Sequence, residues 1–534
     1  MTPSKPHPCA CPRPPPREGP AEPHVLTRTV SACPAGSLTS VSPAARSTCA
    51  AGRRWRGAET GAAASGRKPR AGALCAPLDR EAWLRQLPLI DQDFVRLGAT
   101  PDLNRWLEQI RATGGCAEPV HLAGHTTTID PDTGEVLRHY STATEPGGRL
   151  SVRCRNRRAS RCAPCSREHS GDTFHLVRSG LVGGKGVPET VRTHPRLFVT
   201  LTAPSFGPVH RAGSCHSARC RRCEHGGQHG CGRTHPDADP IVGQPLCVDC
   251  YDYPGHVPWN SMAPALWKAF RDNLYHHLAA RAGVGRSEVR TLVRVSIAKV
   301  AEYQKRGAVH FHAVVRLDGP DGSTTPPPPW ATGDLLSEAV RSAATAVALP
   351  CPESAAYGGG RLSFGTQLDV HPLVYGGGGL ISDDAVAAYV AKYTSKSVEA
   401  AGAVDRRIES PAEIQALRVS PHVRALIATA WRLGGLPELR HLRLRAWAHM
   451  LGYPGHCLTK TRAYSTTYGQ LRAARAAHAR GLYTDWDDET VVESAWRFVG
   501  TGHAPAEALL AAGIAEDLAT NREVARAERA EEGA

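Results

Sequence analysis

The segment VRVSIAKVAEYQKRGAVHFHAVVRLDG, residues 293–319, reads as a β-hairpin. Two runs rich in β-branched residues flank Lys305-Arg306-Gly307, and a three-residue hairpin loop commonly ends on a left-handed residue, which Gly307 supplies. This register pairs Gln304 with Ala308 and sets Glu302 opposite His310. Directly opposed side chains share a face, and His312, two residues on, shares it too. One carboxylate and two imidazoles therefore converge on a small patch, with positions left for water and a phosphate oxygen. That donor set suits Mg²⁺ or Mn²⁺ on a phosphodiester, with Mn²⁺ the better match to imidazole. A lone His-x-His is more often an ordinary strand with two half-buried histidines; the carboxylate placed by register reverses that balance.

A second segment, SDDAVAAYVAKYTSK (382–396), reads as a helix with Ser382 as N-cap and two acids in the first turn. At 100° per residue, Tyr389, Lys392, Tyr393 and Lys396 fall within an arc of about 100°, while Ala387, Val390 and Ala391 face a sheet. Two phenols one turn apart, flanked by ammonium groups, suit phosphodiester transfer. A phenol is a poor nucleophile at neutral pH until a cation stabilises its anion. The competing reading is an amphipathic helix whose tyrosines and lysines snorkel at its margin.

The chain has 534 residues, 41% of them hydrophobic, and a formal charge of +14. That length implies two to four domains, and the charge favours a polyanionic partner. No apolar run is long enough for a membrane span, and the first residues lack the apolar core of a signal peptide, so a cytoplasmic protein is expected. Residues 1–80, rich in Pro, Ala, Gly, Ser and Arg, are expected to be disordered. Residues 81–190 read as helical and then cysteine-bearing, 191–400 as a strand-rich domain with a cysteine-histidine insertion at 213–255, and 401–534 as a basic helical region with an acidic tail.

Seventeen cysteines in a reducing compartment point to metal ligation rather than disulfides. Cys154, Cys162 and Cys165 form a first zinc cluster, with Cys116 as fourth ligand ahead of His121 and His169. In the second cluster Cys247 and Cys250 are the surest pair, and eight Cys and His candidates could hold one ion or two. Full thiolate sites leave no open position, so both clusters read as structural zinc.

Together these motifs resemble the HUH endonuclease superfamily: His310-Phe311-His312 for the metal, Tyr389-Val390-Ala391-Lys392-Tyr393 for the nucleophile, and FVTLTAP (198–204) for a first motif. PLCVDCYDY (245–253), KVAEYQKRGAVHFHAVVRLDG (299–319) and LRLRAWAHMLGYPGH (442–456) are more closely similar to replication initiators of actinomycete plasmids and integrating elements. The resemblance implies an α+β fold, a central antiparallel sheet with flanking helices and the metal on its exposed face. It implies that Cys223 and Cys231 complete a zinc site with Cys247 and Cys250. It also implies a reaction: nicking of one origin strand, a 5′ phosphate kept on Tyr389 or Tyr393, and a second transfer that closes the displaced circle. Some members of the superfamily use one tyrosine and a carboxylate-activated water for the second step; that arrangement would need an acid in this chain, for which Asp384 is the candidate. Plasmid origin DNA is then the partner, with a host helicase and polymerase, since the chain has no GxxxxGK[ST] motif. The rival readings are a relaxase or transposase with the same chemistry, and a non-catalytic zinc-dependent DNA-binding regulator. The tyrosines follow the metal motif here, whereas relaxases usually carry them before it.

Overall fold

The computed structural model describes residues 80–216, 222–227, 230–374, 382–395, 402, 404–480 and 490–532. The segment expected to be disordered, 1–80, lies outside these residues except for Arg80. The chain divides into two units, Met1–Trp83 and Leu84–Ala534, and the second contains everything described below except residues 80–83 of the first helix.

Helices α1 (Arg80–Leu84), α2 (Leu89–Gly98) and α3 (Leu103–Ala112) lead into strands β1 (Val120–Ile129), β2 (Val136–Ser141) and β3 (Leu150–Val152). Helix α4 (Ala163–Val182) and strand β4 (Arg196–Leu201) follow, then the two-residue strands β5 (Gly213–Ser214) and β6 (Thr234–His235). Next come α5 (Tyr253–Ala282), α6 (Val289–Leu292), β7 (Arg294–Tyr303), β8 (Val309–Asp318) and α7 (Gly333–Thr345). Strands β9 (Leu349–Cys351), β10 (Gly360–Leu362) and β11 (Leu368–Pro372) precede α8 (Asp383–Ser395). The chain ends with α9 (Pro411–Ala416), α10 (Pro421–Leu433), β12 (Leu458–Lys460), α11 (Tyr468–Arg480), β13 (Val491–Thr501) and α12 (Pro505–Glu532).

The hairpin is β7–β8. Its register pairs Glu302 with His310 and Val300 with His312. Gln304 N donates to Ala308 O at 2.9 Å, closing the loop. Gly307 sits at φ 78°, and a Cβ there would meet Leu426 Cδ1 at 2.8 Å, so both backbone and packing require glycine. The central sheet runs β11-β4-β8-β7-β12, all neighbours antiparallel.

Near-continuous apolar runs bury both faces of this sheet. On one face Val199, Ile297, Phe311 and Val315 pack with Leu266 and Phe270 of α5, Val340 of α7 and Ile427 of α10. On the other, Phe198, Val300 and Val314 pack with Leu176 and Val177 of α4 and Val386 and Val390 of α8. The face that carries Glu302, His310 and His312 is therefore not open along its length, as the sequence resemblance implied; α4 and α8 cover part of it.

The region after residue 400 is mostly helical but carries two strands as well. Strand β12 pairs with β7, and β13 pairs with β1 over ten positions in a second, four-stranded antiparallel sheet. In VVESAWRFVGT, Val492, Trp496 and Phe498 fall on one alternating face and Glu493 and Arg497 on the other, the two-residue period of a strand. Trp106 and Ile110 of α3 pack on Ala511 of α12 beside this sheet.

Candidate metal centre and tyrosine cleft

Strands β4, β7, β8 and β11 and helix α8 enclose a cleft of about 490 Å³. Glu302, His310, His312 and Tyr389 all line it. Glu302 Oε2 is 3.4 Å from His312 Nε2, and the two imidazole centroids are 4.3 Å apart. Thr200 on β4 stands directly opposite His312. Its Oγ1 is 3.0 Å from His312 Nδ1, so it can accept the Nδ1 proton and leave the Nε2 lone pair facing the cleft. Phe198 stacks parallel to His312, with 2° between the ring planes and 5.7 Å between centroids.

His310 Nδ1 lies 3.2 Å from the Gln304 amide, and Arg306 Nε donates to the other end of that amide at 2.9 Å. His310 Nε2 is buried with no hydrogen-bond partner among the described residues. Burial, with lesser contributions from His312 and Arg306, pushes the His310 imidazole down to about 3. It is therefore neutral at physiological pH, the form that binds a metal. An orphaned buried nitrogen, a second imidazole and a carboxylate together fit a divalent cation held by Glu302, His310 and His312.

Helix α8 brings the phenol. Ser382 Oγ accepts from Ala385 N at 3.1 Å, and Asp383 pairs at 2.9 Å with the fully buried Arg196 of β4, fixing the helix start against the sheet. Tyr389 is held edge-on to Phe198 and His312, with its hydroxyl 3.1 Å from His312 Nε2. Tyr393 lies one turn further along α8; its side chain and the whole of Lys396 are outside the described residues.

Lys392 does not join the cleft. It lines a separate groove with α4, α11 and α12, because α8 turns a neighbouring face toward those helices. Asp384 is also elsewhere, exposed and ion-paired with Arg178 at 2.6 Å. The acid that does line the cleft is Asp369, paired in register with Thr200, together with His371 two residues on. Sequence reading missed Asp369, His371, Thr200 and Gln304. The alternation in LDVHP (368–372), which puts Asp369 and His371 on one strand face, was the available signal.

Three groups of thiols and imidazoles could each hold a metal ion, their donor atoms lying within 4.8 Å of one another. The first is Cys116, Cys154, Cys162 and Cys165, with Cys162 Sγ 3.8 Å and Cys165 Sγ 3.6 Å from Cys116 Sγ. A tetrahedron of sulfurs at ~2.3 Å from zinc has edges of ~3.8 Å, which these spacings match. The second cluster divides in two: Cys223, His225, Cys247 and Cys250 in one group, and His210, Cys215, Cys231 and His235 in the other. Cys231 thus sits apart from Cys223, Cys247 and Cys250, and the fourth position beside those three is His225, whose Nδ1 is 3.3 Å from Cys250 Sγ. The reason is local: the β5–β6 pairing carries Cys215 and Cys231 to the His210 side, where Cys231 Sγ is 3.2 Å from His235 Nε2. Asp239 holds His235 Nδ1 at 2.9 Å, the carboxylate–histidine support typical of metal ligands. His210 precedes the insertion as drawn from sequence and was not among its candidates.

Comparison with known proteins places this architecture. The family model described as "Replication initiator protein, pSAM2" matches residues 102–516, a span that includes both sheets, the cleft and all three cysteine groups. The class is thus that of replication initiators. A "Replication initiator protein" of Streptomyces ambofaciens is 48% identical over 448 residues, covering 81% of this chain and 94% of that relative. The chain belongs to the RepSA family of replication initiators. No solved structure gives a significant match. No helix among the described residues is long and apolar enough to cross a membrane.

Proposed function

We propose that this replication initiator is a metal-dependent nuclease of the HUH type that nicks and rejoins single-stranded origin DNA through a covalent 5′-phosphotyrosine. The observation that carries this reading is the Tyr389 hydroxyl 3.1 Å from His312 Nε2, inside the cleft lined by Glu302 and His310. A regulator that only binds DNA has no use for a phenol in that position.

Glu302, His310 and His312 would hold Mg²⁺ or Mn²⁺, which supplies positive charge to polarise a phosphoryl oxygen and stabilise a phenolate. Thr200 keeps His312 in one tautomer. Phe198 fixes the Tyr389 ring, so its oxygen is aimed before DNA arrives. The phenol oxygen attacks phosphorus as its proton leaves. The P–O3′ bond breaks, and O3′ takes up a proton from solvent in balance with the one the phenol released, leaving as the free 3′-OH that primes synthesis. The reverse step, attack of a 3′-OH on the phosphotyrosine, rejoins the strand and conserves the phosphodiester energy. Tyr393, about 6 Å further along the helix axis, is the candidate for the second transfer. The three thiol-imidazole groups hold structural zinc, and a host helicase and polymerase complete replication. The test incubates the protein with labelled origin single strands and Mn²⁺ and looks for a protein–DNA adduct on a denaturing gel. No adduct with any metal would remove the reading.

A further inference from the structure

Lys392 belongs to a second groove, of about 900 Å³, bounded by α4, α8, α11 and α12. The groove and the tyrosine cleft share α8 as a wall: Ala385, Val386 and Tyr389 line the cleft, and Ala388, Ala391 and Lys392 line the groove. At 100° per residue, Tyr389 and Lys392 are about 60° apart around that helix, so one chain of phosphates can pass from cleft to groove over its edge.

The charge of the groove is one-sided. Arg153, Arg167, Lys392, Arg475, Arg522 and Arg526 line it. Of the three carboxylates present, Asp172 and Glu168 are engaged by Arg475, and Glu168 also pairs with Arg153 at 3.1 Å. The third, Glu523, leaves the lining with six cations against three carboxylates. Arg522 and Arg526 are exposed, one turn apart on α12, the segment that sequence composition marked as the acidic tail. A net-positive groove of about 900 Å³ that shares the tyrosine helix as a wall matches the form of an electrostatic track for single strands.

We propose that this groove holds the phosphate backbone of the single strand next to the nick, with Arg522 and Arg526 as its principal contacts. The inference rests on the nuclease reading and specifies where its substrate runs. Backbone contacts carry no sequence information, so a mixed-sequence strand of about 30 nucleotides is an adequate probe.

The experiment measures binding of that fluorescent strand, and of its duplex, across a salt series for wild type and Arg522→Ala/Arg526→Ala. Each lost phosphate contact lowers the single-strand salt slope by about 0.7. The double variant should therefore lose about 1.4 from the slope and bind roughly tenfold more weakly near 0.15 M salt. A control, Arg271→Ala/Arg286→Ala, removes two exposed arginines from outside the groove and should leave the slope unchanged. An unchanged slope in the Arg522/Arg526 variant, an equal drop in the control, or a drop confined to duplex would each overturn the proposal. Both substitutions lie on an exposed helix face, so a thermal melt matching wild type confirms that folding is intact. Adduct formation is scored separately at saturating protein. Wild type that forms no adduct yet shows the arginine-dependent slope would remove the nuclease reading and leave the groove standing.

Discussion

Thr200→Val tests how the cleft prepares its metal ligands. The Thr200 hydroxyl is the partner of His312 Nδ1, at 3.0 Å, in a site where His312 is only 5% exposed. Valine keeps the volume and removes the acceptor. The Nδ1–H is then left buried without a partner, which costs about 1–3 kcal/mol, and the ring can escape only by moving its proton to Nε2. That tautomer has no lone pair facing the cleft. At 1.4 kcal/mol per factor of ten, the penalty on metal binding is roughly 5- to 150-fold, in the range measured when supporting hydrogen bonds to metal ligands are removed. The assay is nicking of a labelled single strand against Mn²⁺ concentration, with a thermal melt alongside. The half-saturating Mn²⁺ concentration should rise by that factor while the rate at saturating Mn²⁺ recovers most of its value. An unchanged Mn²⁺ dependence with native-like melting would refute the assignment of Thr200 as the tautomer-fixing partner.

His310→Ala or His312→Ala should abolish nicking while duplex origin binding largely survives, because the loss of a ligand removes the cation that polarises the phosphoryl oxygen; gel-shift and nicking assays on the same preparation separate the two. Metal analysis of freshly purified protein should find zinc, and Cys231→Ser and Cys223→Ser should each lower the zinc content independently, since they sit in different groups; Cys247→Ser should also reduce folded yield. Stability should fall on acidification: His422 is held at about 4 by burial, so the unfolded chain binds the extra proton below about 6.5 and the native state does not. Stability is therefore lost as pH drops from about 6.5 toward 4, by about 2 kcal/mol for this histidine at pH 5, and chemical denaturation at pH 7.5 and 5 reads the difference against His422→Gln.

The hairpin was legible because its information is local. A left-handed glycine and a strand period of two residues fix which side chains oppose one another, and that sufficed to put Glu302 across from His310. The α8 pattern was legible for the same reason, down to the Ser382 cap. What a period cannot supply is the identity of the neighbouring strand. Thr200 and Asp369 meet the hairpin only through the order β11-β4-β8, which nothing in their own segments states. Lys392 shows the opposite limit. It falls in the same helical arc as Tyr389, yet it lines a groove with α4 and α12 instead of the cleft, and an arc does not reveal what packs along its boundary. The zinc partition failed on a similar point: sequence spacing left eight candidates, and only the β5–β6 pairing separates Cys231 from Cys223.

The central claim is that the tyrosine pair of α8, Tyr389 or Tyr393, carries the cut strand. The direct measurement is peptide mapping of the denaturation-resistant adduct formed with a labelled origin single strand and Mn²⁺, in wild type, Tyr389→Phe and Tyr389→Phe/Tyr393→Phe. The account predicts an adduct on the α8 peptide in wild type, mapping to Tyr389 or, where Tyr393 can also start, to either residue, and no adduct in the double variant. An adduct that persists in the double variant, or that maps outside residues 389–393, would contradict it.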